Sequence, residues 1–216
     1  FFTGHSRMLR DRIARAMPHW DEGRPGFHSI LGMHAFGLEE TGAYGRAEAA
    51  GRRGVELEPR DGWSQHAVAH VFEMQSRQEE GIAWMCANPA GWAADSFFQV
   101  HNWWHLALYH YDLGDYNAVL ALFDNEMGAG RSGVVLDMVD ASALLWRLHL
   151  RGVDAGERWG TVADAWAGAA ATGSYAFNDA HAAMAFIGAG RRDAALAVIA
   201  AQTEAMARDD DNASFT

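Results

Sequence analysis

The chain has 216 residues, half of them apolar, 12% aromatic and 21% charged. That is ample apolar surface for a packed core, so disorder, collagen-like repeats and low-complexity linkers are excluded. Acidic residues outnumber basic ones 28 to 17, a formal charge of −11 that repels phosphate backbones and anionic lipid and argues against nucleic-acid and membrane partners. The single cysteine, Cys86, excludes an internal disulfide framework and a cysteine zinc site, is expected to pack in its helix, and suits a cytoplasmic, reducing setting. No apolar run approaches the roughly 18 residues of a spanning helix. Phe1 to Arg15 is arginine-rich and amphipathic, without the apolar stretch of a signal peptide.

Along the chain, apolar residues recur near every 3.6 positions in segments separated by Gly or Pro, the punctuation of paired helices. The first predicted helix runs from Ser6 to Met17 and is stopped by Pro18. Five pairs follow: 27–40 with 43–57, 62–77 with 78–88, 97–112 with 115–127, 133–151 with 156–172, and 177–188 with 191–207. No strand-like alternation persists beyond a few residues. The 41 alanines and the scarcity of Val/Ile/Thr clusters agree with an all-α chain. The acidic run Asp209 to Asn212 is expected to be a solvated helix end.

An internal repeat is visible in these pairs. Ala35 and Leu38, then Thr41-Gly42, Tyr44, Ala47 and Pro59 follow the tetratricopeptide order: small residues where helices touch, Gly at the turn, Tyr opening the second helix, Pro ending it. About 34 residues on, Tyr44 maps to Gln78, so the second copy is degenerate. Leu113-Gly114-Asp115-Tyr116 and Gly188-Ala189-Gly190-Arg191 mark later copies. The expected fold is an all-α, right-handed solenoid of tetratricopeptide-like helix hairpins, with residues 1–216 as one domain cut from a longer pattern.

Chemistry concentrates on the first helix of each pair. His66 and His70 are four apart in one first helix, and His101 and His105 are four apart in the next. On a helix that spacing puts both rings on one face, and Glu73, three after His70, extends it. His34, Asp137, Asp140, Asn178, Asp179 and His181 interrupt other apolar first helices, and Asn102 lies between the second pair of histidines. Neutral imidazoles so spaced suit a divalent metal such as zinc, with His66, His70, His101 and His105 as ligands. They equally suit a general base with its orienting acid, with Asp140 joining the four histidines as catalytic candidates. They also suit buried polar groups that merely satisfy one another. The remaining candidates, His34, Glu73, Asn102, Asp137, Asn178, Asp179 and His181, are ligand-binding positions. Because an unpaired buried imidazole costs about 1–3 kcal/mol, His70 is expected within direct or one-water reach of His101, His105 or Asp140, and convergence without a bound metal is the favoured outcome. Phosphate loops, dinucleotide fingerprints and nucleophile elbows are missing, and the chain has no lysine.

Residues 61–74, Asp-Gly-Trp-Ser-Gln-His-Ala-Val-Ala-His-Val-Phe-Glu-Met, resemble a stretch of the tetratricopeptide repeat protein 38 family. His101-Asn102-Trp103-Trp104-His105 with Ala107-Leu108-Tyr109 resembles that family's His-Asn-x-Trp-His-x-Ala-Leu-Tyr. Asp137-Met138-Val139-Asp140, Arg147, Gly152, Gly156, Arg158-Trp159 and Phe177-Asn178-Asp179-Ala180-His181 follow in the family order, so the likeness spans essentially residues 1–190. It implies a cytoplasmic helical-repeat protein and supplies no settled activity. The leading expectation is a binding module whose concave groove takes a small polar ligand, a cation or a peptide. An enzyme is the alternative: a His/carboxylate hydrolase or lyase on the same residues, with a divalent metal as the one cofactor the pattern allows. A homo-oligomer is compatible with either.

Overall fold

The structure, a computed structural model, describes residues 4–169 and 173–208; the acidic run from Asp209 lies outside them. Among the described residues every regular element is helical, and no helix is long and apolar enough to cross a membrane. The chain divides into two compact units, Phe1–Leu113 and Gly114–Thr216.

The first unit contains α1 (Ser6–Ala16), α2 (Phe27–Glu39), α3 (Tyr44–Leu57), α4 (Gly62–Met74), α5 (Gln78–Cys86), α6 (Pro89–Ala93) and α7 (Gln99–Asp112). Helices α2, α3 and α4 pack on one another, and α4 and α5 both pack on α7. Small residues make the close approaches. Ala35, Ala47, Ala67 and Ala69 are buried where helices meet, and a Cβ on Gly51 would stand 2.5 Å from Val68 Cγ2. Asp61 starts α4 by accepting from the backbone N–H groups of Trp63 and Ser64, and its other oxygen meets His28 Nδ1 at 2.9 Å. The N-cap and that cross-helix link fix where α4 begins.

Two helix-ending turns 34 residues apart share one geometry. Gly42, with φ of 80°, ends α2 by donating to Glu39 O, while the Ala43 N–H reaches back to Leu38 O. At the matching position Ser76 also takes a positive φ, 54°, and donates to Glu73 O while Arg77 N–H reaches Phe72 O. This is the left-handed helix-ending turn that glycine adopts freely and serine adopts at a cost. It explains why α4 ends at Met74, short of the expected residue 77. The Asn88-Pro89 break hides the short α6, whose buried Trp92 donates Nε1 to Met85 O at 3.0 Å. In α5 the inward position belongs to Met85, and Cys86, expected to pack, is exposed.

The second unit holds α8 (Tyr116–Asn125), α9 (Val135–Leu150), α10 (Arg158–Trp166), α11 (Ala176–Gly188) and α12 (Arg192–Met206). Its core is Leu144, Leu145, Leu148, Val162, Trp166, Ala182, Ala185 and Phe186. Helix α9 packs on α10 and α11, and α11 packs on α12. The Gly190 turn, with φ of 69°, repeats the geometry of Gly42. The expected lone first helix and the ten helices of the five expected pairs all appear, within about three residues of the expected bounds except at α10, which ends at Trp166 rather than near 172.

Candidate functional site

Four imidazoles converge between α4 and α7. His66 and His70 lie one turn apart on α4, and His101 and His105 one turn apart on α7, on the helix faces that pack together. One nitrogen from each of the four lies within 4.8 Å of those of the other three. His66 Nε2 and His101 Nε2 are 3.1 Å apart. The ring centroids of His66 and His70 are separated by 4.3 Å, and those of His70 and His105 by 4.6 Å.

Aromatic side chains wall the cluster. Phe98, just before α7, stacks on His66 with 5.2 Å between centroids, and Trp104 stacks on His101 at 5.3 Å. Phe36 of α2 sits 5.6 Å from His66 and 5.5 Å from His70. The result is an unusually poor environment for so many polar atoms. His66 and His105 are each only 3% exposed. His66 Nδ1, His70 Nε2 and both nitrogens of His105 are buried with no hydrogen-bond partner among the described residues. Burial pushes the His66 and His105 imidazoles well below their ordinary range, and the neighbouring histidine charges add to it. Both rings are therefore neutral at physiological pH, with lone pairs to offer.

One partner was not anticipated. Glu39, the last residue of α2 and 4% exposed, places Oε2 at 3.5 Å from His70 Nδ1. The sequence signal for it was slight: Glu39 follows Phe36 by three positions, on the same α2 face, but sits beside the Gly42 turn where acids usually end helices in solvent. Phe98 was also missed, because it precedes the helix it caps.

The other candidates are placed as follows. Asn102, fully buried, donates Nδ2 to Gly62 O at 3.2 Å and so ties α7 to the start of α4. Glu73 lies near Tyr109, whose phenol is pushed up by burial and by the Glu73 charge, and whose hydroxyl donates to Ala69 O at 2.6 Å. His34, two positions from Phe36 on α2, lies on another side of that helix, and its imidazole is lowered by burial and by Arg46 of α3. In the second unit Asp137 accepts from Ser132 Oγ at 2.7 Å at the start of α9. Asp140 is buried, and its charge opposes the burial that lowers His181 on α11; the His181 ring also meets Phe177 O at 2.7 Å. Asn178 is half-buried in the first turn of α11. Asp179 accepts from Gly173 N and Gln202 Nε2, so its carboxylate holds α11 to α12. The structure thus gathers His66, His70, His101 and His105 into one site, while Asn102 and Asp179 serve as ties between elements. No protein-family model and no solved structure matches the chain.

Proposed function

We propose that this chain is a tetratricopeptide-like binding module of stacked helix hairpins, related to the tetratricopeptide repeat protein 38 family, whose ligand site is the histidine cluster of its first unit. The packing of α2 on α3 and α4, and of α4 and α5 on α7, is the neighbour order expected when each hairpin stacks on the next. The observation that carries the functional reading is the set of unpartnered nitrogens on His66, His70 and His105. Each such group costs about 1–3 kcal/mol when buried without a partner. A fold that retains several of them together is holding them for something that binds there. The cluster is compact and acceptor-rich, which suits a small polar ligand or cation better than a peptide.

Substituting His105→Leu tests the reading without knowing the ligand. Leucine fills similar space and removes two unpartnered nitrogens, so the melting midpoint of the ligand-free protein should hold or rise. A loss above about 2 kcal/mol, of the size seen when core contacts are deleted, would make His105 a structural residue and sink the proposal. An enzyme on the same residues is the second reading, favoured by the 3.1 Å approach of His66 Nε2 to His101 Nε2, which would let one imidazole orient the other as a general base.

A further inference from the structure

We infer that the occupant of this cluster is a single borderline divalent transition-metal ion, of the zinc class, held by His66, His70, His101 and His105, with Glu39 as the residue that positions His70. The inference rests on the binding-module reading above and names the ligand that reading leaves open.

The donor set comes first. Four imidazole donors within one shell select Zn²⁺, Co²⁺, Ni²⁺ or Cu²⁺ and discriminate against Mg²⁺ and Ca²⁺, which need oxygen. Spacing comes second. Ligand nitrogens at about 2.0–2.1 Å from a tetrahedral ion stand roughly 3.3 Å from one another. His66 Nε2 and His101 Nε2 are already at 3.1 Å, and all four donors lie within 4.8 Å. Closing the rest, from at most 4.8 Å to about 3.3 Å, is the adjustment that a bound ion would draw from the four side chains.

Protonation and orientation come third. A ligating imidazole commonly gives its second nitrogen's proton to a carboxylate, which fixes the tautomer and the ring plane. His70 is placed for this arrangement: Nδ1 lies 3.5 Å from Glu39 Oε2, close enough for an ion pair though not a formed hydrogen bond, and Nε2 is buried without a partner among the described residues. Glu39 reaches in from α2, so three helices contribute to one site. The stacked rings of Phe98 and Trp104 hold His66 and His101 in plane and keep the surroundings apolar, which strengthens each metal–nitrogen bond against competition from water. A purely structural set of histidines would be expected to pair its nitrogens with one another or with backbone. Here one such pairing, His66 with His101, leaves His66 Nδ1, His70 Nε2 and both nitrogens of His105 without a hydrogen bond among the described residues.

The test uses the full chain, stripped with a chelator and titrated calorimetrically with Zn²⁺, and separately with Co²⁺ followed by visible absorption. One ion per chain is expected, with the intense ligand-field bands of four-coordinate cobalt. Mg²⁺ and Ca²⁺ should give no heat. His66→Gln and His105→Leu, each checked for native helicity by circular dichroism, should weaken Zn²⁺ binding by more than a hundredfold. Glu39→Gln should keep the one-ion stoichiometry, weaken binding by roughly 10–100-fold and shift the cobalt bands, a readout that a merely structural role would not move. Zn²⁺ affinity that survives loss of both buried histidines, or a stripped wild-type chain that takes up no Zn²⁺ or Co²⁺, overturns the metal inference. In the latter case an unchanged or raised midpoint for His105→Leu leaves the binding-module reading standing, whereas a lowered midpoint removes both.

Discussion

Acidifying the metal-free protein from pH 7.5 to pH 5.5 should cost about 3 kcal/mol of stability through His66 and His105 alone. Both rings are buried and held well below the usual imidazole value by burial first and by their histidine neighbours second. In the unfolded chain each returns to about 6.5. Between the folded and unfolded values the unfolded state binds more protons, so stability falls as pH falls. Above about pH 6.5 neither state takes up a proton and the contribution is flat. Below it each group costs a little over 1 kcal/mol per pH unit, and two groups over one unit give the figure above. For a chain of this size that corresponds to roughly 6–12 °C in melting midpoint.

Other carboxylates and histidines titrate over the same range, so the measurement is a comparison. Urea unfolding of the wild-type chain and of the His66→Phe/His105→Leu variant would be followed by circular dichroism at constant ionic strength with chelator present. The wild type should lose about 3 kcal/mol more than the variant between the two pH values, with the curves parting below about pH 6.5. Parallel loss in the two proteins would show that these imidazoles accept protons in the folded state, and would refute the argument that burial keeps them neutral. Saturating Zn²⁺ should leave the parting near pH 6.5, which the unfolded imidazoles set, and should not flatten the loss below it, because an ion that needs the neutral ring keeps protons off the folded state.

Three further outcomes follow from the packing. Ser76→Gly should stabilise the chain by up to about 1 kcal/mol, because serine holds a left-handed φ of 54° in a helix-ending turn like the one that Gly42 makes; a lower urea midpoint would contradict the strain. Gly81→Ala should destabilise by about 1–3 kcal/mol despite alanine's better helix propensity, since the new Cβ would lie 2.5 Å from the Tyr109 ring, and a neutral result in denaturant unfolding would show that α5 and α7 can part freely. Asp61→Ala should cost about 1–2 kcal/mol through the lost cap of α4, and a double-mutant cycle with His28→Ala should show a coupling of about 0.5 kcal/mol or more; additive losses would mean that the 2.9 Å pair contributes nothing in solution.

What the sequence discloses and what it withholds divide along a physical line. Helix bounds were legible because they are set locally: glycine at position 42 and proline at 18 act on their immediate neighbours. The two His-x-x-x-His pairs were legible for the same reason, since four-residue spacing decides which face a side chain occupies whatever the helix packs against. That the two faces meet follows only from α4 lying on α7, which the repeat register suggested and the side-chain distances now describe. Asp179 was indistinguishable from the others in sequence, being a polar residue in an apolar first helix. Its oxygen is taken by Gln202, 23 positions away, and no local pattern announces such a bond. Glu39 failed in the opposite direction. It sits where acids routinely face solvent at a helix end, and only the return of the chain through α4 brings His70 over it and buries it. The residue that gives the histidine cluster its carboxylate is therefore the one whose local sequence argues most strongly for an ordinary surface position. A site assembled from three helices should be sought first among buried acids at helix ends, where the cost of burial has no local explanation.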